Sequence, residues 1–180
     1  MGHHGRVAGN SSKRGRQTVR DMILSMLAVG AVGAGAYVLI PHDTKGDRIL
    51  PIDYSSSLAS ARRAAPYQLL GPADLPAGWK ATSVEYKKDP AGHAVWHLGF
   101  ETPSRQYAAI EQSDGARADV LKATVPGGQA DGESKLGAQD WQRLQGERYR
   151  ALTVQTGKAT TVVTGTASYD ELGVLAQSLK

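Results

Sequence analysis

The chain has 180 residues, enough for one domain and an appendage. It contains no cysteine, which excludes disulfides, thiolate nucleophiles and cysteine metal sites. Of its 21 Lys and Arg residues, five lie in residues 1–20 without an acidic neighbour, and beyond Asp21 the chain has 16 basic and 16 acidic residues. The basic excess belongs to a tail that adjoins an apolar segment, so membrane topology explains it better than nucleic-acid binding does. Nucleic acid is therefore not expected as a partner.

Residues 1–20 are polar, basic and without periodicity, which predicts a disordered cytoplasmic tail. The next segment, residues 21–40, contains a run of 19 uncharged residues from Met22 to Ile40. As a helix this run is about 28 Å long, close to the hydrocarbon core of a bilayer. We expect a transmembrane helix with Arg20 and Tyr37 at its two interfaces, in a plasma membrane, with the C-terminal domain extracytoplasmic.

Two features of this segment leave alternatives open. Residues 34–36 (Ala-Gly-Ala) resemble a signal-peptidase site, so the segment is either an uncleaved anchor or a cleaved signal. Small residues at four-residue spacing, such as Gly30 and Ala34, suit close helix–helix packing, although a weakly apolar Ala/Gly anchor is the favoured explanation because small residues are common in such helices. The exported position of the domain is the same under each reading.

Residues 41–65 read as a linker with a short helix at 54–65, and residues 66–180 as an extracytoplasmic domain. Strand patterns occupy 80–87, 94–101, 106–113, 140–145, 149–156 and 160–166. Helix patterns occupy 116–123 and 168–179, the second with Ser168 as its N-cap. The order predicts an α+β fold, with an antiparallel sheet built from two strand-strand-strand-helix halves.

Several motifs of the domain are similar to those of a known family. They are Leu-Pro-Ala-Gly-Trp at 75–79, Trp-His-Leu-Gly-Phe-Glu-Thr-Pro at 96–103, Tyr-Ala-Ala-Ile-Glu-Gln-Ser at 107–113, Trp141, and the segment 160–168 leading to Glu171 and Leu172. The chain resembles the actinobacterial single-pass membrane proteins grouped as domain of unknown function 4245. The resemblance implies a cell-envelope protein and no particular activity.

The domain offers no recognised catalytic motif, so an enzyme is not the favoured reading. His93 and His97 are four residues apart, but in a strand this spacing separates them by about 13 Å, too far to share one metal ion. No cofactor or metal is therefore expected.

Strand alternation does suggest a candidate binding face. His97 and Glu101 share one face of their strand, and pairing with the next strand would bring them near Glu111 or Gln112. A core position is the favoured one for the three tryptophans, but Trp141 is the best exception and joins this candidate binding face because polar residues surround it in the sequence. A solvated sheet face is the simpler alternative for the charged residues.

Three functions remain open on the sequence. The first is a membrane-anchored extracytoplasmic binding or interaction module of the bacterial cell envelope, with an envelope protein as the expected partner. The second is an envelope enzyme or enzyme regulator acting on a small ligand or a cell-wall polymer, with Glu101 and Glu111 as the carboxylates to consider. The third is a structural subunit of a membrane complex. The sequence indicates no oligomeric state.

Overall fold

The computed structural model describes Met22, Met26 and residues 51–180. Met22 and Met26 are helical and exposed. Among the described residues, no helix combines the length and the apolar character needed to cross a membrane. The predicted tail, most of the predicted transmembrane helix with Arg20 and Tyr37, and linker residues 41–50 lie outside this part of the chain.

The unit Ile49–Lys180 contains three helices and seven strands within its described residues. In chain order they are α1 (Ser55–Ala64), β1 (Lys80–Lys88), β2 (Ala94–Glu101), β3 (Tyr107–Ser113), α2 (Arg117–Thr124), β4 (Gln129–Leu136), β5 (Gln139–Gln145), β6 (Arg150–Thr156), β7 (Ala159–Gly165) and α3 (Tyr169–Gln177). The fold is α+β, as predicted.

All strands join one antiparallel sheet in the order β1-β2-β3-β7-β6-β5-β4. Within each half, consecutive strands pair through short turns, and β3 pairs with β7 to join the two halves. The β6–β7 turn contains only Gly157 and Lys158, and Gly157 has the positive φ that such two-residue turns require. The last strand, β7, is buried along its whole length, which suits its run of β-branched residues.

The second half has four strands, whereas the sequence pattern predicted three. The additional strand, β4, lies at a sheet edge, and most of its residues are exposed. Its sequence, QADGESKL, has almost no apolar residue to mark a buried face, so the sequence pattern assigned no element to these residues. Charged residues and a register shift between Ala130 and Glu133 are features that protect a free sheet edge from pairing with other chains.

The main core lies on the face of the sheet that α1 and α3 cover. Trp96, Leu98 and Phe100 of β2 are buried there, together with Leu172 and Leu175 of α3. Ser168 caps α3 by accepting a hydrogen bond from the Glu171 backbone N–H at 3.2 Å, as the sequence predicted. Burial of large side chains on this face supplies most of the hydrophobic stabilisation of the domain.

A smaller core lies on the opposite face, under α2. Val120 and Val125 pack against Leu144, Ala151 and Val162, which belong to β5, β6 and β7. The eight-residue helix is about 12 Å long, so it covers only part of this face. The space between α2 and the β2–β3 part of the sheet therefore remains open.

Candidate binding cleft between helix α2 and the sheet

The open space beside α2 is a cleft of about 520 Å³, here called the α2 cleft. Strands β2 and β3 form its floor, α2 forms one wall, and the β1–β2 turn with Tyr149 completes the rim. A volume of this size is typical of pockets that hold small molecules or a few side chains of a partner.

The walls of the α2 cleft combine apolar surface with a few polar groups. Val95, Val120 and Ala123 supply aliphatic surface. The rings of Tyr107 and Tyr149, with centroids 6.2 Å apart, add an aromatic side. Carboxylates of Asp89, Glu111 and Asp119 also line the cleft, whereas no Lys or Arg of the described residues does so. Such a surface suits a ligand with an apolar body and a cationic or hydrogen-bond-donating end.

The Glu111 carboxylate is held by a histidine on the neighbouring strand. His97 and Glu111 are paired in the β2–β3 register, and His97 Nδ1 lies 2.6 Å from Glu111 Oε1. The hydrogen bond and charge of Glu111 outweigh burial and raise the pKa of His97 above its ordinary value of 6.5. The His97 imidazole therefore becomes protonated at a higher pH than an isolated histidine would.

The same imidazole contacts a serine on its other side. His97 Nε2 lies 2.8 Å from Ser83 Oγ of β1, so a continuous hydrogen-bonded row, Ser83–His97–Glu111, crosses three adjacent strands. Gly99 faces Ser83 in the β1–β2 register, and a Cβ at Gly99 would overlap the Ser83 hydroxyl. The absence of a side chain at Gly99 is what allows this row to form.

Tyr107 connects the row to the cleft. Burial, followed by the nearby Glu111 charge, raises the pKa of Tyr107 to about 12, so its phenol is neutral at physiological pH. A side chain at Gly99 would also press on the Tyr107 ring and His97 Nε2, so Tyr107 packs tightly beside the row. Tyr107 and Glu111 also line the α2 cleft, so the row and the cleft are adjacent.

The β1–β2 turn at the rim is fixed by its own polar contacts. Asp89 Oδ1 accepts a hydrogen bond from the His93 backbone N–H at 2.8 Å, and Asp89 Oδ2 lies 3.1 Å from His93 Nδ1. Both residues line the α2 cleft. Their contacts hold the turn in one arrangement at the cleft mouth.

The structure brings together only part of the candidate binding face. His97 and Glu111 are in contact, while Glu101 lies at the end of β2 and pairs with Lys80 at 3.1 Å. Gln112 is among the residues that line the α2 cleft, but its side chain points to the opposite side of β3, where it is fully buried. Trp141 is also buried, in the main core.

Sequence reasoning did not select Ser83, Asp119, Tyr107 or Tyr149. The alternation that placed Glu111 on one face of β3 also placed Tyr107 there, so the sequence pattern could have identified Tyr107 as part of the site. No sequence pattern marks Ser83, because its contact with His97 depends on the β1–β2 register and on a register shift between Ala81 and Ser83. Among the described residues no cluster of three or more His, Asp or Glu side chains is arranged to hold a metal ion.

Comparisons with known proteins identify a family but no activity. No curated protein matches the chain. Two solved structures are similar at 15% identity and a TM-score of 0.38: a crystal structure of MucB in complex with MucA(peri), and the MucA/MucB complex of Pseudomonas aeruginosa. The alignments cover 62% of this chain but only 35% and 34% of those chains, about a third of their length. A family model described as "Protein of unknown function (DUF4245)" matches residues 14–179, and the chain belongs to that family.

Proposed function

We propose that this protein is a membrane-anchored binding module of the bacterial cell envelope, and that the α2 cleft is where its extracytoplasmic domain takes a ligand. The observation that carries the proposal is the cleft itself, about 520 Å³ of space with apolar walls and converging polar groups. A domain that only spaced or supported other proteins would have no need to keep α2 short and this part of the sheet uncovered.

The ligand class follows from the lining of the cleft. Tyr107 and Tyr149 present aromatic surface, and Glu111 and Asp119 present carboxylates. A ligand with an apolar or aromatic body and an amine satisfies both, since cations are attracted by carboxylates and by the faces of aromatic rings. The side chains of a partner protein or an envelope small molecule both offer this chemistry.

The anchored, exported arrangement is proposed from the N-terminal sequence. Five unopposed basic residues precede a 19-residue uncharged segment, Met22 to Ile40, a pattern that favours a cytoplasmic N-terminus and an extracytoplasmic domain. Alkaline phosphatase fused after Lys180 should be active in bacterial cells, because this reporter requires export. An active fusion of a cytoplasmic fluorescent reporter at the same position would contradict the arrangement.

Two alanines of α2 provide a matched test of the cleft. Ala118 and Ala123 are both exposed, but only Ala123 lines the α2 cleft. Ala123→Phe should fill the cleft, whereas Ala118→Phe adds the same ring elsewhere on the helix.

The assay is a titration of ¹⁵N-labelled protein with phenethylamine, followed by NMR. The proposal predicts shifts confined to β2, β3 and α2 in the unmodified protein and in Ala118→Phe, and their loss in Ala123→Phe. Shifts that persist unchanged in Ala123→Phe, or that fall elsewhere on the domain, would refute the cleft as the binding site.

A further inference from the structure

The Ser83–His97–Glu111 row has the connectivity of a nucleophile, a base and a group that orients the base. Ser83 Oγ lies 2.8 Å from His97 Nε2, and His97 Nδ1 lies 2.6 Å from Glu111 Oε1. Both distances are within hydrogen-bonding range, and the three residues come from three adjacent strands, which are more rigid supports than loops.

The tautomer of His97 follows from its partners. An ionised carboxylate only accepts hydrogen bonds, so Glu111 requires the His97 proton on Nδ1. In the neutral ring Nε2 then carries a lone pair, and the Ser83 hydroxyl donates to it. This is the arrangement in which an imidazole can remove a proton from a serine hydroxyl.

The row is partly exposed to solvent and lies beside the α2 cleft. The His97 and Glu111 side chains are 23% and 19% exposed, so the imidazole is partly shielded but reachable. Tyr107 packs beside Gly99 and His97 and, with Glu111, lines the α2 cleft, whereas Ser83 and His97 are not among its lining residues. Ser83 is half-buried, so a small ester can reach its hydroxyl from solvent.

We propose that Ser83 is a nucleophile for acyl transfer, with His97 as its general base and Glu111 as the positioning residue for His97. The substrate class is a carboxylic ester. The Ser83 oxygen bonds to the ester carbonyl carbon while its proton moves to His97 Nε2. The carbon–alkoxide bond then breaks, the alcohol leaves with the proton from His97, and water releases the acid from Ser83 by the same steps.

This inference does not depend on the proposed function, because Ser83 can react whether or not the α2 cleft holds an amine. It concerns a chemical activity, whereas the proposed function concerns binding. The two experiments share no variant, so the failure of one leaves the other interpretable.

The test is covalent labelling of the full chain with a fluorophosphonate. Attack by Ser83 forms an oxygen–phosphorus bond, fluoride leaves, and His97 takes the hydroxyl proton. The proposal predicts a single adduct, located on Ser83 by peptide mass spectrometry of the unmodified protein. This mapping needs no variant, so a folding defect cannot obscure it.

Variants then separate the three roles. Ser83→Ala should abolish labelling, and His97→Gln should slow it by about 100-fold or more, the usual contribution of a general base. Ser104→Ala is the matched control. The Ser104 hydroxyl donates to Glu171 at 2.8 Å and hydrogen-bonds with Thr102, but it has no histidine partner. It should label at the rate of the unmodified protein.

The pH profile of labelling tests Glu111. The charged groups that face His97 are Glu111 and Glu85, which raise its pKa, and Lys87, which lowers it. Labelling should increase with pH as His97 loses its proton, and Glu111→Gln should move the midpoint to lower pH and slow the reaction. No adduct on Ser83, or an adduct that forms equally fast in His97→Gln, would overturn the proposal and leave the row a structural hydrogen-bond network.

Discussion

Replacing Gln112 with leucine should destabilise the domain, whereas binding in the α2 cleft, which Gln112 lines, should survive because the Gln112 side chain lies on the other face of the sheet. The Gln112 side chain is fully buried, on the face of β3 opposite Glu111. Its Oε1 accepts a hydrogen bond from the Leu70 backbone N–H at 2.7 Å, and its Nε2 donates to Thr161 Oγ1 at 3.0 Å. The side chain therefore ties the segment before β1 to the centre of the sheet.

The magnitude follows from what leucine leaves behind. The half-buried Leu70 N–H loses its acceptor, which costs about 1–3 kcal/mol, and the bond to Thr161 contributes about 1 kcal/mol. The sum is roughly 2–4 kcal/mol, which corresponds to a fall in melting temperature of about 8–15 °C for a domain of this size.

Urea unfolding, followed by tryptophan fluorescence, measures this loss. Gln177→Leu is the control because Gln177 is exposed on α3, and its unfolding free energy should change by no more than about 0.5 kcal/mol. Phenethylamine binding should survive in folded Gln112→Leu. A variant of unchanged stability that no longer binds would show that Gln112 contacts the ligand and that this reasoning is wrong.

Three further predictions concern stability. His97→Gln should flatten the pH dependence of the unfolding free energy. Because Glu111 raises the pKa of His97, the protonated pair stabilises the domain fully below the unfolded pKa of about 6.5, and this stabilisation is lost as pH rises through the folded pKa. Gly165→Ala should destabilise by about 1–3 kcal/mol or more in urea unfolding, because its Cβ would overlap the Tyr107 carbonyl oxygen. Trp96→Ala should cost about 3–5 kcal/mol by the same assay, since Trp96 is fully buried.

These predictions have matched controls. Gly173→Ala in α3 meets Leu136 at an ordinary contact distance of 3.5 Å, so it should be neutral or slightly stabilising. Equal effects at Gly165 and Gly173 would contradict the clash argument. A pH dependence in His97→Gln identical to that of the unmodified protein would show that other groups cause it, and a small loss in Trp96→Ala would contradict the assigned core.

The sequence predicted those elements that an apolar side-chain pattern or a capping residue marks. The β-branched β7 and the Ser168-capped α3 were found because apolar periodicity and cap chemistry act locally. The edge strand β4 was missed because an exposed strand does not need an apolar face, and hydrogen bonding to β5 alone holds it in the sheet.

The site was predictable only in part for a related reason. Alternation within a strand places His97 and Glu111 each on a face, but only the register makes them neighbours. The contact between Ser83 and His97 could not be predicted for the same reason, because it also depends on strand register. Trp141 and Gln112 show the converse. Polar sequence neighbours suggested exposure of Trp141, and strand pairing suggested Gln112 as a neighbour of His97, but both side chains are buried.

The most direct test of the binding proposal uses a photoreactive residue in the living envelope. Benzoylphenylalanine at position 123, inside the α2 cleft, is compared with the same residue at position 118, outside it but on the same helix. The account predicts a discrete adduct, identified by mass spectrometry, from position 123 and not from position 118. Equal adducts at both positions, or none at position 123 in a folded and membrane-inserted protein, would contradict the proposal that the α2 cleft is the binding site.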